Sequence, residues 1–216
     1  MVYKAALFDL DGVLVDTARY HYLAWKNLAD GLGFEFTLAH NERLKGVSRM
    51  ASLDILLEVG GLAHRFTPQE KDRMAAEKNQ RYLGLVAKME PSEILNGVVP
   101  FLSALKDRKV KIALGSASKN APLILERVGL TRWFDALVDG TDVTKAKPDP
   151  EVFLLGARRL DVLPGDCVVF EDAQAGLEAA RAGGMHAVGL GRPEDLPGAH
   201  EVFRGLFDVD PARYFA

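Results

Sequence analysis

Two aspartates, Asp9 and Asp11, close the apolar run Ala5-Ala6-Leu7-Phe8 and are followed at once by Gly12. Residues two apart at the end of an extended segment point the same way, and a turn can bring them together. Two carboxylates in one place repel and raise each other's pKa unless a cation compensates. An acidic turn has the same composition, yet a wholly apolar segment leaves no solvated face to account for the pair. Three further signals have the same setting. Ser116-Ala117-Ser118-Lys119-Asn120 follows the run from Val110 to Gly115, where hydroxyl and backbone N–H groups can meet a phosphate or simply cap a helix. Lys147-Pro148-Asp149-Pro150 precedes a helical pattern at Glu151, and the two prolines restrict the backbone that carries Lys147. Glu171-Asp172 ends Cys167-Val168-Val169-Phe170. These are hard oxygen ligands suited to Mg²⁺, although acids before Ala173 would also serve a helix N-terminus. Together the four signals can bind a phosphoryl group, neutralise its charge and offer a carboxylate nucleophile for in-line attack.

Such groups meet only if their segments share one sheet edge. Ala5 to Asp9, Val110 to Gly115, Ala136 to Val138, Cys167 to Phe170 and Ala187 to Leu190 read as short buried strands. Helical patterns at Pro122 to Val128, Glu151 to Leu160 and Gly176 to Ala182 lie between them. This alternation predicts an α/β fold with a parallel sheet covered on both faces. Right-handed crossovers then line up the carboxyl ends of the strands along one edge.

The interval from about Asp16 to Pro91 has a different character, with helical periods and no strand-like run. Tyr20, Leu23, Ala24 and Leu28 form one predicted stripe, with Gly31 and Gly33 marking its stop. Ser52 to Val59 predicts a second helix closed by Gly60-Gly61. Thr67-Pro68-Gln69-Glu70 has the form of a capping box and opens a helix running to about Ala87. A helical module inserted after the first strand, over the strand ends, is the expected arrangement.

With 48% hydrophobic and 26% charged residues in 216, the chain can bury a sizeable core without disulfides. Cys167 is the single cysteine, so no intramolecular disulfide forms, and a buried inert thiol in a reducing compartment is expected. A net charge of −3 with scattered Lys and Arg gives no support for nucleic-acid binding. No signal-peptide pattern and no run of ~20 apolar residues is present, so no membrane association and a cytoplasmic location are expected.

In this order the four motifs resemble those of the haloacid dehalogenase-like superfamily of phosphotransferases, over essentially the whole chain. The resemblance implies a Rossmann-like catalytic core from residues 1–15 and 92–216, with an α-helical cap at 16–91. It implies that Asp9 is the nucleophile and Asp11 the general acid and base, with Ser116 and Lys147 on phosphate. One Mg²⁺ would be held by Asp9, Glu171, Asp172 and Asp11, the last through its main-chain carbonyl. A finer resemblance is to the β-phosphoglucomutase branch. It rests on Phe8-Asp9-Leu10-Asp11-Gly12-Val13, His21 with Trp25, Leu44-Lys45-Gly46-Val47-Ser48-Arg49, Ser116 to Asn120 and Gly191-Arg192-Pro193-Glu194-Asp195-Leu196. Gly115 and Asp149 stand where relatives often carry Ala, and neither supplies a catalytic atom.

That branch implies interconversion of β-D-glucose 1-phosphate and D-glucose 6-phosphate through β-glucose 1,6-bisphosphate, in a monomer. A sugar-phosphate phosphatase and a non-catalytic phosphosugar-binding regulator are the alternatives. A mutase must rebind a bisphosphorylated sugar turned end for end, so it needs a second phosphate site. By the resemblance Arg49, with its planar fork of donors, suits that site. Ala117, Ser118 and Asn120 are further phosphate contacts, and Lys119 is an electrostatic helper. His21, Lys45, Gly46 and Lys78 would meet the sugar or assist cap closure, Trp25 would pack beside them, and Thr17 would lie at the hinge.

Overall fold

Short apolar runs pair as a six-stranded parallel sheet in the computed structural model, which describes residues 2–44 and 47–216. Lys45 and Gly46, both assigned above to sugar contact, lie outside the described residues. The strands are β1 (Ala5–Phe8), β2 (Lys111–Gly115), β3 (Ala136–Val138), β4 (Cys167–Glu171), β5 (His186–Leu190) and β6 (Glu201–Phe203). Their spatial order is β3-β2-β1-β4-β5-β6, parallel throughout. The helices are α1 (Ala18–Leu32), α2 (Leu38–Glu42), α3 (Arg49–Val59), α4 (Pro68–Val86), α5 (Val98–Asp107), α6 (Ala121–Val128), α7 (Glu151–Arg159) and α8 (Gln174–Ala182). Contacts divide the chain into two compact units, one of residues up to Asp16 with Glu90–Ala216, the other of Thr17–Met89.

The first unit holds the sheet. Leu7, Ala113, Val169 and Ala187 turn to one face and pack against Phe153 and Ala157 of α7 and Leu177 and Ala180 of α8. Phe8 and Phe170 alternate to the other face, stacked with ring centroids 5.0 Å apart. There Phe101 of α5 meets both edge-on, at 6.1 and 5.2 Å. Cover on both faces is why the strands read as continuous apolar runs. Cys167 is buried in this core, and burial pushes its thiol up to about 12, so it is inert.

The second unit is helical, with a core built on Trp25, Phe36, Leu53, Leu56 and Leu57. Thr67 and Glu70 form the capping box that opens α4: Thr67 Oγ1 accepts the Glu70 N–H, and Glu70 accepts the Thr67 N–H. The predicted stripe of α1 needs correction at Leu23, which is 49% exposed, whereas Trp25 is 2% exposed. At ~100° per residue Tyr20, Ala24, Leu28, Trp25 and Ala29 span one side of the helix, and Leu23 falls outside it. The helix expected from Ser52 starts one turn earlier, because Ser48 Oγ accepts the Ala51 N–H and makes Arg49 its first residue. Not expected from sequence were α2, α5 and the edge strand β6, whose three residues are only half-buried. Among the described residues no helix is long and apolar enough to cross a membrane.

Candidate active site

From β1 and β4 the strand order runs outward in opposite directions, the place where crossovers part and leave a crevice at the carboxyl ends. Phe8 is in register with Phe170, so Asp9 and Glu171 are the next cross-strand neighbours. By alternation both point to the face covered by α7 and α8. Lys147, from the segment between β3 and α7, places its ammonium between them and donates to Asp9 Oδ1 and Glu171 Oε1, each at 2.6 Å. Relative exposures of 6%, 0% and 4% for Asp9, Glu171 and Lys147 leave almost no water to share the charge. The remaining oxygens are also engaged. Asp9 Oδ2 accepts the Asp11 main-chain N–H at 3.0 Å, and Glu171 Oε2 accepts the Ala173 N–H at 2.9 Å, just before α8.

The electrostatics follow from this burial. For Lys147, burial alone would lower the pKa, but the Asp9 and Glu171 carboxylates outweigh it and the ammonium keeps its proton. Burial pushes the Glu171 carboxyl up to about 7, with the Lys147 ammonium pulling against it. Asp172 completes an acidic trio: one carboxylate oxygen each from Asp9, Glu171 and Asp172 lies within 4.8 Å of the others. Three carboxylates against one ammonium leave a formal −2, and the donors are all hard oxygens. The set therefore fits a divalent cation such as Mg²⁺. The Asp11 carboxylate lies outside this trio.

Two glycines make the trio possible. A Cβ at Gly12, whose φ is +79°, would lie 2.1 Å from Asp172 Oδ2, and one at Gly176 would lie 1.8 Å from Glu171 Oε1. Ser116 leaves β2 on the same sheet edge, 1% exposed. Its Oγ accepts the Ser118 N–H at 3.1 Å, and Ser118 Oγ accepts the Asn120 N–H at 3.2 Å. These hydroxyls fold the loop and do not cap α6. Ala117, Ser118 and Asn120 are half-buried, while Lys119 is exposed. Asp149, one residue before the N-cap Pro150, accepts the Glu151 N–H at 3.0 Å. In the loop after β5, exposed Arg192 pairs with Asp195 at 2.7 Å.

The helical unit gathers a second set. His21 and Trp25 on α1, and Lys78 and Tyr82 on α4, are each four residues apart and share helix faces. Lys78 Nζ lies 3.0 Å from His21 Nδ1, and 4.4 and 4.8 Å from the ring centroids of Trp25 and Tyr82. The His21 ring lies 4.2 Å from that of Tyr82. Tyr82 was not expected from sequence, although its spacing from Lys78 was the available signal. Thr17 is buried and directly precedes α1. Arg49 is half-buried, and burial lowers its pKa.

Burial, then the Lys78 and Arg49 cations, hold His21 well below the usual imidazole range. The folded pKa is depressed, so stability from neutral His21 is complete above the unfolded value of ~6.5 and is lost as pH falls below it. Replacing His21 by Gln removes that proton uptake. Between about pH 6.5 and 5, the natural protein is expected to lose up to ~1.4 kcal/mol per pH unit more than His21→Gln. Parallel denaturant titrations at several pH values check this, and equal slopes would show that His21 titrates normally.

Residues 3–184 match the family model described as haloacid dehalogenase-like hydrolase. The chain is 45% identical to a β-phosphoglucomutase of Bacillus subtilis (strain 168), covering 95% of this chain and 91% of that protein. It is 33% identical to a phosphorylated carbohydrates phosphatase of Thermotoga maritima, over 86% and 83% of the two chains. A crystal structure of β-phosphoglucomutase from Clostridium difficile superposes with a TM-score of 0.93 at 42% identity, covering 97% and 94%.

Proposed function

This chain belongs to the haloacid dehalogenase-like hydrolase family, and from that premise we propose that it is a Mg²⁺-dependent phosphomutase. The proposed reaction interconverts β-D-glucose 1-phosphate and D-glucose 6-phosphate through β-glucose 1,6-bisphosphate. The observation that carries the reading is the buried bridge in which Lys147 joins Asp9 to Glu171, with Asp172 close enough to complete a cation site. The similarity to β-phosphoglucomutases across nearly the whole chain supports the mutase form over a phosphatase. The proposed enzyme is a cytoplasmic monomer.

In the proposed mechanism an Asp9 oxygen attacks phosphorus, a new P–O bond forms, and the bond from phosphorus to the sugar oxygen breaks. Asp11 gives that oxygen its proton, and in the reverse direction takes the proton from the attacking sugar hydroxyl. Lys147 and Ser116 hold oxygens of the moving phosphoryl group. Mg²⁺, held by Asp9, Glu171, Asp172 and the Asp11 carbonyl, would supply charge neutralisation there. Arg49 is assigned the phosphate that is not transferred, with Ala117, Ser118, Asn120 and Lys119 as further phosphate contacts. His21 and Lys78 are assigned to the sugar, beside Trp25. Thr17, as the first residue of the helical unit, is assigned to the hinge.

The deciding assay offers α- and β-glucose 1-phosphate with Mg²⁺ and a trace of bisphosphate, and quantifies glucose 6-phosphate and free phosphate separately. Glucose 6-phosphate from the β anomer is expected. Free phosphate in its place would identify a sugar-phosphate phosphatase, and binding without turnover a regulator. Two variants refine the reading. Asp11→Asn should retain Mg²⁺ binding while turnover falls ~10²–10⁴-fold, the usual worth of positioned proton transfer. Loss of metal binding as complete as in Asp172→Ala would make the Asp11 side chain a ligand. Arg49→Ala should weaken use of the bisphosphate by about tenfold or more, while Asp9 is phosphorylated by acetyl phosphate as before. Equal losses with both donors would remove Arg49 from the distal phosphate.

A further inference from the structure

Lys147 has a third neighbour besides its two carboxylates. Its Nζ lies 4.7 Å from the ring centroid of Phe153, a fully buried residue in the first turn of α7. The seat of that ring depends on β2. A Cβ added at Gly115 would come within 2.7 Å of Phe153 Cδ1 and 2.8 Å of Cε1. Gly115 lies in the strand outside the left-handed region, so its backbone makes no demand for glycine. Room for the ring is what the absent side chain provides.

We propose that Phe153 is a positioning residue for phosphoryl transfer, whose ring face holds the Lys147 ammonium beside Asp9. This rests on the reading of Asp9 and Lys147 given above and adds a residue to it. An ammonium has three N–H donors, and here two are committed to Asp9 and Glu171. A ring face attracts the cation through its quadrupole and claims no particular N–H, more strongly when water is excluded. The ammonium can therefore turn a donor from a carboxylate toward a phosphoryl oxygen without losing this contact. A hydroxyl in the ring's place would compete for the third donor, and an aliphatic side chain would offer the cation nothing. The carboxylates supply most of the charge compensation, and the ring determines where the charge stands.

Replacing Phe153 by mono-, di- and trifluorophenylalanine drains the ring face of electron density while nearly preserving shape. Log kcat is expected to fall linearly along the series, by about tenfold at the trifluoro ring, with KM and melting temperature little changed. A flat kcat overturns the inference. If the natural protein fails even to form phosphoenzyme from acetyl phosphate, the reading of the site fails as well, so the two failures are distinguishable. Ring-current upfield shifts of the Lys147 ε-methylene protons, lost in Phe153→Leu, report the contact directly, and their absence from the natural protein overturns it.

Discussion

Asp9→Asn is expected to abolish phosphoenzyme formation and to lower turnover by at least about 10⁴-fold. The amide is nearly isosteric with the carboxylate but cannot form an acyl phosphate. Both Asp9 oxygens accept hydrogen bonds, one from Lys147 and one from the Asp11 N–H. Whichever way the new amide turns, its NH₂ faces a donor, at a cost of ~1–3 kcal/mol for the unsatisfied group. Removing one of three mutually repelling carboxylates offsets part of that cost, so the fold should survive. Intact-mass spectrometry after acetyl phosphate treatment, with circular dichroism as the control, tests both parts. Phosphoenzyme on the variant, or turnover within about a hundredfold of the natural protein, would take Asp9 out of the nucleophile role.

Lys147→Met should be the most destabilising of the site variants as well as a poor catalyst. It leaves Asp9 and Glu171 buried without their shared cation, and breaking a buried pair in this way typically costs ~3–5 kcal/mol. Losing a donor to the transferring phosphoryl group should cost about 10²–10³-fold in turnover. The pH dependence has a defined sign. Without the ammonium, only the Ala173 N–H still opposes the effect of burial on Glu171, so its folded pKa rises above about 7. A carboxyl whose folded pKa exceeds its unfolded ~4.3 is more stable protonated. Up to about pH 7 both proteins lose the same Glu171-linked stability, so the deficit of Lys147→Met should stay level from pH ~4.3 to ~7 and grow as pH rises above about 7. Mg²⁺ should reduce it, by supplying the missing positive charge to the same carboxylates. Thermal melts across pH, with and without Mg²⁺, read this out. Equal stability of the two proteins in metal-free buffer at neutral pH would mean the bridge carries no charge compensation.

The helix in the inserted segment that begins at Thr67 was legible because its signal is local: Thr67, Pro68 and Glu70 satisfy the first turn among themselves. The α/β class was legible for a similar reason, since strands buried on both faces must be apolar throughout and end abruptly where chemistry begins. Asp9, Ser116, Glu171 and Asp172 could be named because polar groups at such ends lack a solvated face to explain them, and Lys147 because two prolines restrict the backbone beside it. Their mutual geometry was not available in that way. Asp9 and Lys147 are 138 positions apart, and what unites them is the register of β1 on β4 and the seating of α7. Leu23 was misplaced because spacing defines a stripe on α1 but not which side its neighbours cover. The open spaces at Gly12, Gly115 and Gly176, and the aromatic seats of Lys78 and Lys147, are likewise products of packing. Local pattern determines which residues can form an element and where it ends. Which of those residues meet depends on pairing register and close packing between distant segments, and these exist only once the chain is folded.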